Sequence, residues 1–186
     1  MDNLTLPTGP FSVIYADPPW EYRQSGSLKG SRGMAKAHYA TMTTKDICEI
    51  PVGSICTNDA ILFLWATFPN IAEALAVMEA WGFTYKTAAF VWFKVNSKSV
   101  TPFWGMGQYT RANAEVCLLG IRPGTKAKRQ VINHGVHQII QSPVRRHSQK
   151  PAEARERIVQ LLGDVPRVEL FARERVPGWA AWGNEV

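Results

Sequence analysis

What the sequence has little of narrows the classes of protein to consider. Its three cysteines, Cys48, Cys56 and Cys117, are odd in number and form no CxxC pair, so neither a disulfide framework nor a cysteine zinc site is predicted. The four histidines lack the spacing of a zinc-binding helix, and we expect no metal site. No phosphate-binding loop ending in Gly-Lys-Ser or Gly-Lys-Thr occurs, so nucleotide hydrolysis has no support.

Long apolar runs and a targeting leader are also absent. No run approaches the roughly 18 apolar residues of a membrane span, and no charged-then-apolar leader opens the chain. We therefore expect a soluble, unprocessed, cytoplasmic protein with no membrane partner. The 186 residues, 46% of them hydrophobic, suit one compact domain over residues 1–186, with no separate target-recognition domain.

Charge and aromatic content bear on the partner. The net charge of +6 and the pI near 9.4 favour a polyanion, because Lys and Arg side chains release counterions from phosphates. The seven tryptophans fit either a crowded core or exposed rings that stack on bases. Six basic residues group in the second half of the chain: Arg122, Lys126, Lys128, Arg129, Arg145 and Arg146. They form either a solvated loop or a phosphate track.

Apolar runs alternate with amphipathic segments along the chain. Buried strands are predicted over residues 11–16, 60–66, 85–93, 115–121 and 168–172. Helices are predicted before Gly82, with Ile71, Leu75 and Met78 on one face, and over residues 151–162. Strands without polar alternation, separated by helices, indicate an α/β fold with a mostly parallel sheet covered on both faces. Ligands bind such sheets at the carboxyl ends of strands, where Asp17 stands.

Two long connections, residues 22–38 and 96–111, interrupt this pattern. The first is rich in glycine, serine and basic residues, and either closes over a ligand or is disordered. The second lies beside a predicted strand end, and long loops in compact domains are more often functional than accidental. Among the tryptophans, Trp65 and Trp81 are predicted in the core, whereas Trp20 and Trp104 are candidates for stacking on bases.

The tetrapeptide Asp17-Pro18-Pro19-Trp20 is the most informative motif. Its chance occurrence in a chain of this length is on the order of one in a few thousand. The exocyclic amine of adenine is a weak nucleophile, and the Asp17 carboxylate and the Pro18 carbonyl would accept its two hydrogens and aim its lone pair at a sulfonium methyl. The prolines fix that carbonyl, Trp20 would stack on the base, and Asp17 is expected to be ionised at neutral pH.

The chain resembles the adenine amino-methyltransferases that carry a DPPW motif. These are typified by the catalytic subunit of the eukaryotic messenger-RNA adenosine methyltransferase and include bacterial and phage members. The resemblance covers nearly the whole chain in ordered blocks: YADPPW at 15–20, HYATMT at 38–43, LFLWAT at 62–67, VWFK at 91–94, RANAEVCLLGIRP at 111–123, RRHSQKP at 145–151, ELFAR at 169–173 and WAAWGNE at 179–185.

That resemblance implies a Rossmann-like class I methyltransferase fold in permuted order, with the catalytic motif first and much of the cofactor site last. The implied cofactor is S-adenosylmethionine. Its implied contacts are Asp17, Ser148, Lys150, Glu169, Phe171, Arg173, Asn184 and Glu185. The implied substrate-side residues are Tyr39, Trp92, Lys94, Glu115, Arg145 and Arg146. The sequence departs from the family by lacking an acidic-aliphatic pair before the catalytic strand, and at Arg175-Val176 and Glu185, where the family often has His-Asn and Gln.

The sequence thus predicts methyl transfer to the 6-amino group of adenine in DNA by direct displacement, with weak sequence selectivity or a preference for single strands. RNA is the alternative substrate. A non-catalytic nucleic-acid-binding subunit and a small-molecule methyltransferase are the alternative functions. A monomer or a homodimer is expected, with a partner subunit left open.

Overall fold

The computed structural model describes residues 5–21, 41–107, 109–124, 130–144 and 149–186. Their strands are β1 (Phe11–Ala16), β2 (Cys56–Ala66), β3 (Thr84–Val95), β4 (Ala114–Ile121), β5 (Ile139–Pro143), β6 (Arg167–Leu170) and β7 (Ala180–Trp182). Their α-helices are α1 (Thr44–Cys48), α2 (Ile71–Ala80) and α3 (Glu153–Leu162). The strands form one sheet in the order β5-β3-β4-β2-β1-β6-β7.

Strand direction confirms the mostly parallel sheet. Strand β1 lies parallel to β2 and β6, β6 to β7, and β3 to β5. Strand β4 lies antiparallel to both of its neighbours, β2 and β3, so it alone among the described strands is reversed. Because of this reversal, β4 begins at the edge where the other strands end. The mixed α/β architecture agrees with a Rossmann-like methyltransferase fold.

Both faces of the sheet are covered, as predicted. On β1, the side chains of Ile14 and Ala16 belong to the cluster that packs under α1 and α2, whereas Val13 and Tyr15 belong to the cluster under α3. This alternation follows from the two-residue period of a strand, whose neighbours point to opposite faces. Since β1 is buried on both faces, all of its residues but Ser12 are apolar or aromatic.

The helices form where local signals favour them, although one predicted stripe is only partly right. Thr43 caps α1, because its hydroxyl accepts the Asp46 backbone N–H at 3.1 Å. In α2 the buried face is formed by Ala74, Val77 and Met78, while Leu75 is exposed. The small Ala74 side chain lets the helix approach the sheet closely. A prediction based on large apolar residues alone does not identify such an alanine as part of the buried face.

Helix α3 is docked by a basic side chain that was expected to act within the helix. The four-residue spacing of Glu153 and Arg157 predicts an ion pair within the helix, and this prediction is wrong. The Arg157 guanidinium instead donates to the carbonyls of His137 at 2.6 Å and Ile139 at 2.7 Å, which ties α3 to the start of β5. Two carbonyl acceptors satisfy more of the guanidinium donors than the single carboxylate contact would.

Trp65 and Trp81 are core residues, as predicted. Both are fully or nearly fully buried, and each indole N–H finds an acceptor: the Tyr15 hydroxyl at 2.7 Å and the Ile47 carbonyl at 2.9 Å, respectively. The second bond joins the end of α2 to α1. Within the described ranges, no helix has both the length and the apolar character needed to cross a bilayer.

The end of β7 depends on a close backbone approach at Gly183. A Cβ on this residue would clash with the carbonyl oxygen of Ala172 and lie 2.7 Å from its nitrogen. We expect Gly183→Ala to lower the free energy of unfolding by about 1–3 kcal/mol, because rigid backbone cannot move aside. Urea denaturation measures this. Gly53→Ala is the control, since its Cβ would meet only the Arg122 side-chain end at 3.3 Å and a carbonyl at 3.6 Å. Equal losses in the two variants would contradict the prediction.

Candidate active site at the carboxyl edge of the sheet

The turn at residues 17–20 is held by hydrogen bonds on both sides. The Trp20 backbone N–H donates to the Pro18 carbonyl at 2.9 Å, and the Met42 N–H donates to the Pro19 carbonyl at 2.9 Å. The Trp20 indole N–H donates to the Trp65 carbonyl at 3.0 Å. Each carbonyl oxygen has two lone pairs, so Pro18 keeps one for a ligand. The rigid turn predicted from the two prolines is therefore reinforced by the residues on either side of them.

Trp20 does not occupy the position expected of a stacking residue. Its ring is only 6% exposed and belongs to the core cluster that contains Ile47 and Leu64. This placement contradicts the expected stacking on a base, because a base needs an open ring face. The physical reason is the indole N–H, which requires an acceptor when it is buried and finds one at the end of β2. Trp20 instead fixes the turn.

A chain of alternating charges begins at Asp17. The Lys150 ammonium lies 2.7 Å from the Asp17 carboxylate and 3.2 Å from the Glu115 carboxylate. The other Glu115 oxygen lies 2.6 Å from the Lys94 ammonium. Asp17 follows β1, Lys94 lies near the end of β3, and Glu115 lies near the start of the reversed β4. The reversal therefore brings Glu115 to the edge where Asp17 stands.

The electrostatics of this chain favour its charged form at Glu115 and Lys150. Burial alone would raise the pKa of Glu115, but the Lys150 and Lys94 ammonium groups outweigh it and hold the pKa below its ordinary value. Burial would lower the pKa of Lys150, yet Asp17 and Glu115 together raise it. Burial raises the pKa of Asp17 and the nearby Glu115 carboxylate adds to the rise, while Lys150 and Arg173 oppose it only in part.

Trp92 was expected on the substrate side, and its placement contradicts this. The ring is fully buried and its N–H donates to the Ser142 carbonyl at 2.9 Å. The Lys94 ammonium lies 4.9 Å from the centre of the ring, on the side toward Glu115. Trp92 thus supports Lys94 from within the core: residues two positions apart on a strand face the same side of the sheet, and of the two only Trp92 is fully buried.

At the end of β6, a second ion pair lies beside the first chain. The Arg155 guanidinium donates two hydrogen bonds to Glu169, at 2.7 and 3.1 Å, and one to Glu174 at 3.1 Å. Burial raises the pKa of Glu169, and Arg155 opposes the rise. Glu169 was predicted as a cofactor contact; the structure brings it to the site edge with both oxygens on Arg155. Each oxygen keeps a further lone pair.

The chain after β6 makes a strained turn. Phe171 has a φ of 61°, which is uncommon for a bulky residue, and its ring meets the Trp182 ring edge-on at 5.4 Å. Arg173 lies near enough for its charge to lower the pKa of Asp17. The turn thus places two of the predicted cofactor residues, Phe171 and Arg173, at the carboxyl edge. Asn184 follows β7 at the same edge and is exposed, as is Glu185.

Several predictions fall outside the described residues. They are Tyr39, Ser148, Arg145, Arg146, the loop at 22–38, and three members of the basic group, Lys126, Lys128 and Arg129. They remain predictions from the sequence.

Two residues of the site escaped the sequence reasoning. Arg155, described above, lies in a helix with three other charged residues, so its sequence context does not distinguish it from a surface arginine. Asn70 is a buried amide that accepts from the Thr67 hydroxyl at 2.8 Å and donates to the Glu21 carbonyl at 3.4 Å. It therefore anchors the backbone directly after Trp20. The Pro-Asn pair just before α2 is the sequence feature that marks this residue.

A cleft of about 840 Å³ opens on the face that carries α1. It is lined by residues 5–10, by Met42, Asp46, Glu49, Ile50, Pro51, Ser54 and Ile55 in and around α1, and by Trp182. Trp182 also contacts Phe171, so one end of the cleft adjoins the turn after β6. Most of the lining residues precede β1 and β2, so the cleft reaches the carboxyl edge only at Met42 and Trp182.

Comparison with known proteins gives concordant matches. The MT-A70 family model matches residues 11–185. The type II methyltransferase M.MunI from a Mycoplasma species is 32% identical over 97% of this chain and 80% of its own length. The fungal N6-methyladenosine RNA methyltransferase MTA1 from Pyricularia oryzae is 29% identical over 99% of this chain but 49% of its own length. The human N(6)-adenine-specific methyltransferase METTL4 is 28% identical over 95% of this chain and 37% of its own length.

The chain of ion pairs from Asp17 to Lys94 leads to a prediction that can be tested without a substrate. Removing the ammonium in Lys150→Met leaves the Asp17 carboxylate buried without its cation, so the pKa of Asp17 is expected to rise further. Carbon-13 NMR titration of labelled aspartate carboxyls measures the shift. Lys45→Met is the matched control, because Lys45 pairs with Glu49 at the surface, 3.8 Å away. An Asp17 titration that moves equally in both variants, or in neither, would overturn the assignment.

Proposed function

Because the chain belongs to the MT-A70 family, we propose that it transfers a methyl group from S-adenosylmethionine to the 6-amino group of adenine in DNA. The observation that carries this proposal is the rigid turn at residues 17–20, which presents one carboxylate and one free carbonyl lone pair at the carboxyl edge of the sheet. The likeness to a relative named as a type II methyltransferase over 80% of its length supports DNA. RNA is the second candidate, since the fungal relative is named as an RNA methyltransferase.

The turn supplies what the amine of adenine needs. The Asp17 carboxylate accepts one amino hydrogen and the Pro18 carbonyl accepts the other, which holds the nitrogen lone pair in one direction. As the nitrogen–carbon bond forms, the nitrogen becomes positive and must lose a proton. Asp17 is the acceptor for that proton, and its raised pKa makes it a better base than an exposed carboxylate. The proton then passes to solvent.

The residues around the turn fit the charges of the cofactor, which would supply an electrophilic methyl group on a positive sulfur. The Asp17 carboxylate suits the sulfonium, and Lys150 suits the carboxylate of the methionine portion. Phe171, Arg173 and Asn184 lie along the edge between Asp17 and the end of β7. We propose that these residues, with Glu169, Glu185 and Ser148, hold the cofactor.

Lys94 and Glu115 complete the proposed site on the substrate side. Lys94 reaches the same edge through its bond to Glu115, and both are carried by strands rather than loops. We propose that they bound the space in which the target adenine lies. Tyr39, Arg145 and Arg146 are proposed substrate contacts on the resemblance alone.

Replacing Asp17 tests the reaction directly. Asp17→Asn is expected to lower the methylation rate by about 10²–10⁴-fold, because the variant keeps the shape but loses the negative acceptor. The assay combines a labelled methyl donor with matched single-stranded DNA, duplex DNA and RNA, followed by digestion and identification of the modified nucleoside. Asp59→Asn is the control, since Asp59 is exposed and bonds only Thr57 through its side chain. If neither variant nor the wild type methylates any of the three, the protein is a non-catalytic binding subunit instead.

The rate should also depend on pH in a defined direction. Asp17 acts as its carboxylate, so methylation is full above its pKa and falls by about tenfold per pH unit below it. Because burial raises that pKa, the fall should begin at a higher pH than the ordinary value of 3.8 would give. Single-turnover rates across the acid range measure the midpoint, and circular dichroism at each pH separates it from unfolding. A midpoint at or below the ordinary value would contradict this role for Asp17.

A further inference from the structure

The connection between β3 and β4 exposes large apolar side chains. We call residues 96–113 the β3–β4 arm; the structure describes all of them but residue 108. Trp104 is 61% exposed, Met106 84% and Tyr109 95%. Exposed apolar side chains that occur singly need no explanation, but three within six residues form a patch, and such patches mark binding surfaces.

The arm is held in place by its own hydrogen bonds. The Asn113 amide donates to the Lys94 carbonyl at 3.0 Å and also to the Phe103 carbonyl. The Gly105 N–H donates to the Ala112 carbonyl at 2.7 Å, directly beside Trp104. Because polar bonds rather than apolar burial fix the backbone, the Trp104 and Tyr109 side chains are left to face solvent. A ligand would therefore meet a backbone that is already ordered.

The arm arises at the proposed active site. Strand β3 ends at Val95, one residue after Lys94, and β4 begins at Ala114, one residue before Glu115. Lys94 and Glu115 are joined at 2.6 Å, and Glu115 connects through Lys150 to Asp17. The exposed rings thus stand at the same edge of the sheet as the catalytic turn.

Charge identifies the kind of ligand that suits this edge. The arm carries Lys98 and Arg111 and no acidic residue, so its own charge is positive. The wider stretch of residues 80–152 contains eleven Lys or Arg and one acidic residue, the buried Glu115, which pairs with two of those lysines, Lys94 and Lys150. A cationic segment with exposed rings complements a strand that has phosphates along its backbone and flat, unpaired bases.

We propose that Trp104 and Tyr109 stack on unpaired bases that flank the target adenine. The inference rests on the proposed function for the position of the target, and it adds the form of the substrate. Paired bases do not offer their faces, so the arm selects a single strand or an opened duplex. Every base has such a face, so the selection carries little sequence preference.

Binding to a defined probe tests the inference. The probe is a fluorescein-labelled, thymine-rich single-stranded DNA of fifteen nucleotides with one central adenine. Trp104→Ala and Tyr109→Ala are each expected to weaken its binding by about 5-fold to 150-fold, as base–aromatic stacking predicts. Trp104→Phe keeps a ring and should retain most of the affinity. Tyr85→Ala is the matched control, because Tyr85 is an exposed ring near the opposite end of β3.

A second probe reports stacking itself. With 2-aminopurine beside the central adenine, the wild type should quench its fluorescence on binding, whereas Trp104→Ala or Tyr109→Ala should quench it less. Unchanged probe affinity and unchanged quenching in both variants would overturn the inference. The proposed function would still stand in that case if the wild type methylates the strand. A change of oligomeric state in light scattering, without a change in probe affinity, would overturn it in favour of self-association. Loss of methylation in the Asp17→Asn variant with probe binding kept would uphold the proposed function separately.

Discussion

The site depends on one ammonium group that lies between two carboxylates. Lys150 lies within 3.2 Å of both Asp17 and Glu115, and all three side chains are largely withdrawn from water. Each charge would be costly to bury alone, and truncating one member of such a pair typically costs about 3–5 kcal/mol because its partner is left uncompensated. The four charges from Asp17 to Lys94 therefore act as a unit, and the position of the catalytic carboxylate follows from the others.

This unit exists only because β4 is reversed. If β4 ran with its neighbours, Glu115 would lie at the amino edge of the sheet, and Lys150 would have one carboxylate instead of two. The sequence predicted that β4 exists, since residues 115–121 are apolar and β-branched in character. It did not predict the direction, because an apolar run buried on both faces reads the same in either direction. Strands β5 and β7 were not predicted because strands of five and three residues are too short to show a usable period.

Tryptophan content had the same ambiguity, and the structure resolves it residue by residue. Composition could not separate core rings from stacking rings. Trp65 lies in an apolar run and Trp81 at the end of the predicted helix, and both were assigned to the core correctly, but Trp20 and Trp92 were placed at the ligand. Both are buried. The Trp20 indole N–H donates to the Trp65 carbonyl, 45 residues away, and the Trp92 indole N–H donates to the Ser142 carbonyl, 50 residues away. Such long-range acceptors belong to the tertiary fold and leave no trace in local sequence.

The burial of Trp20 changes what the tetrapeptide does. Its backbone N–H and its indole N–H both hold the turn, one at the Pro18 carbonyl and one at the Trp65 carbonyl. The tryptophan thus fixes the direction of the oxygen that would accept from the amine, and the two prolines limit the backbone on which that oxygen sits. Positioning and stacking are then separate tasks. A turn whose only ring faces the core cannot hold a base by its face, so affinity for the base must come from side chains outside the turn.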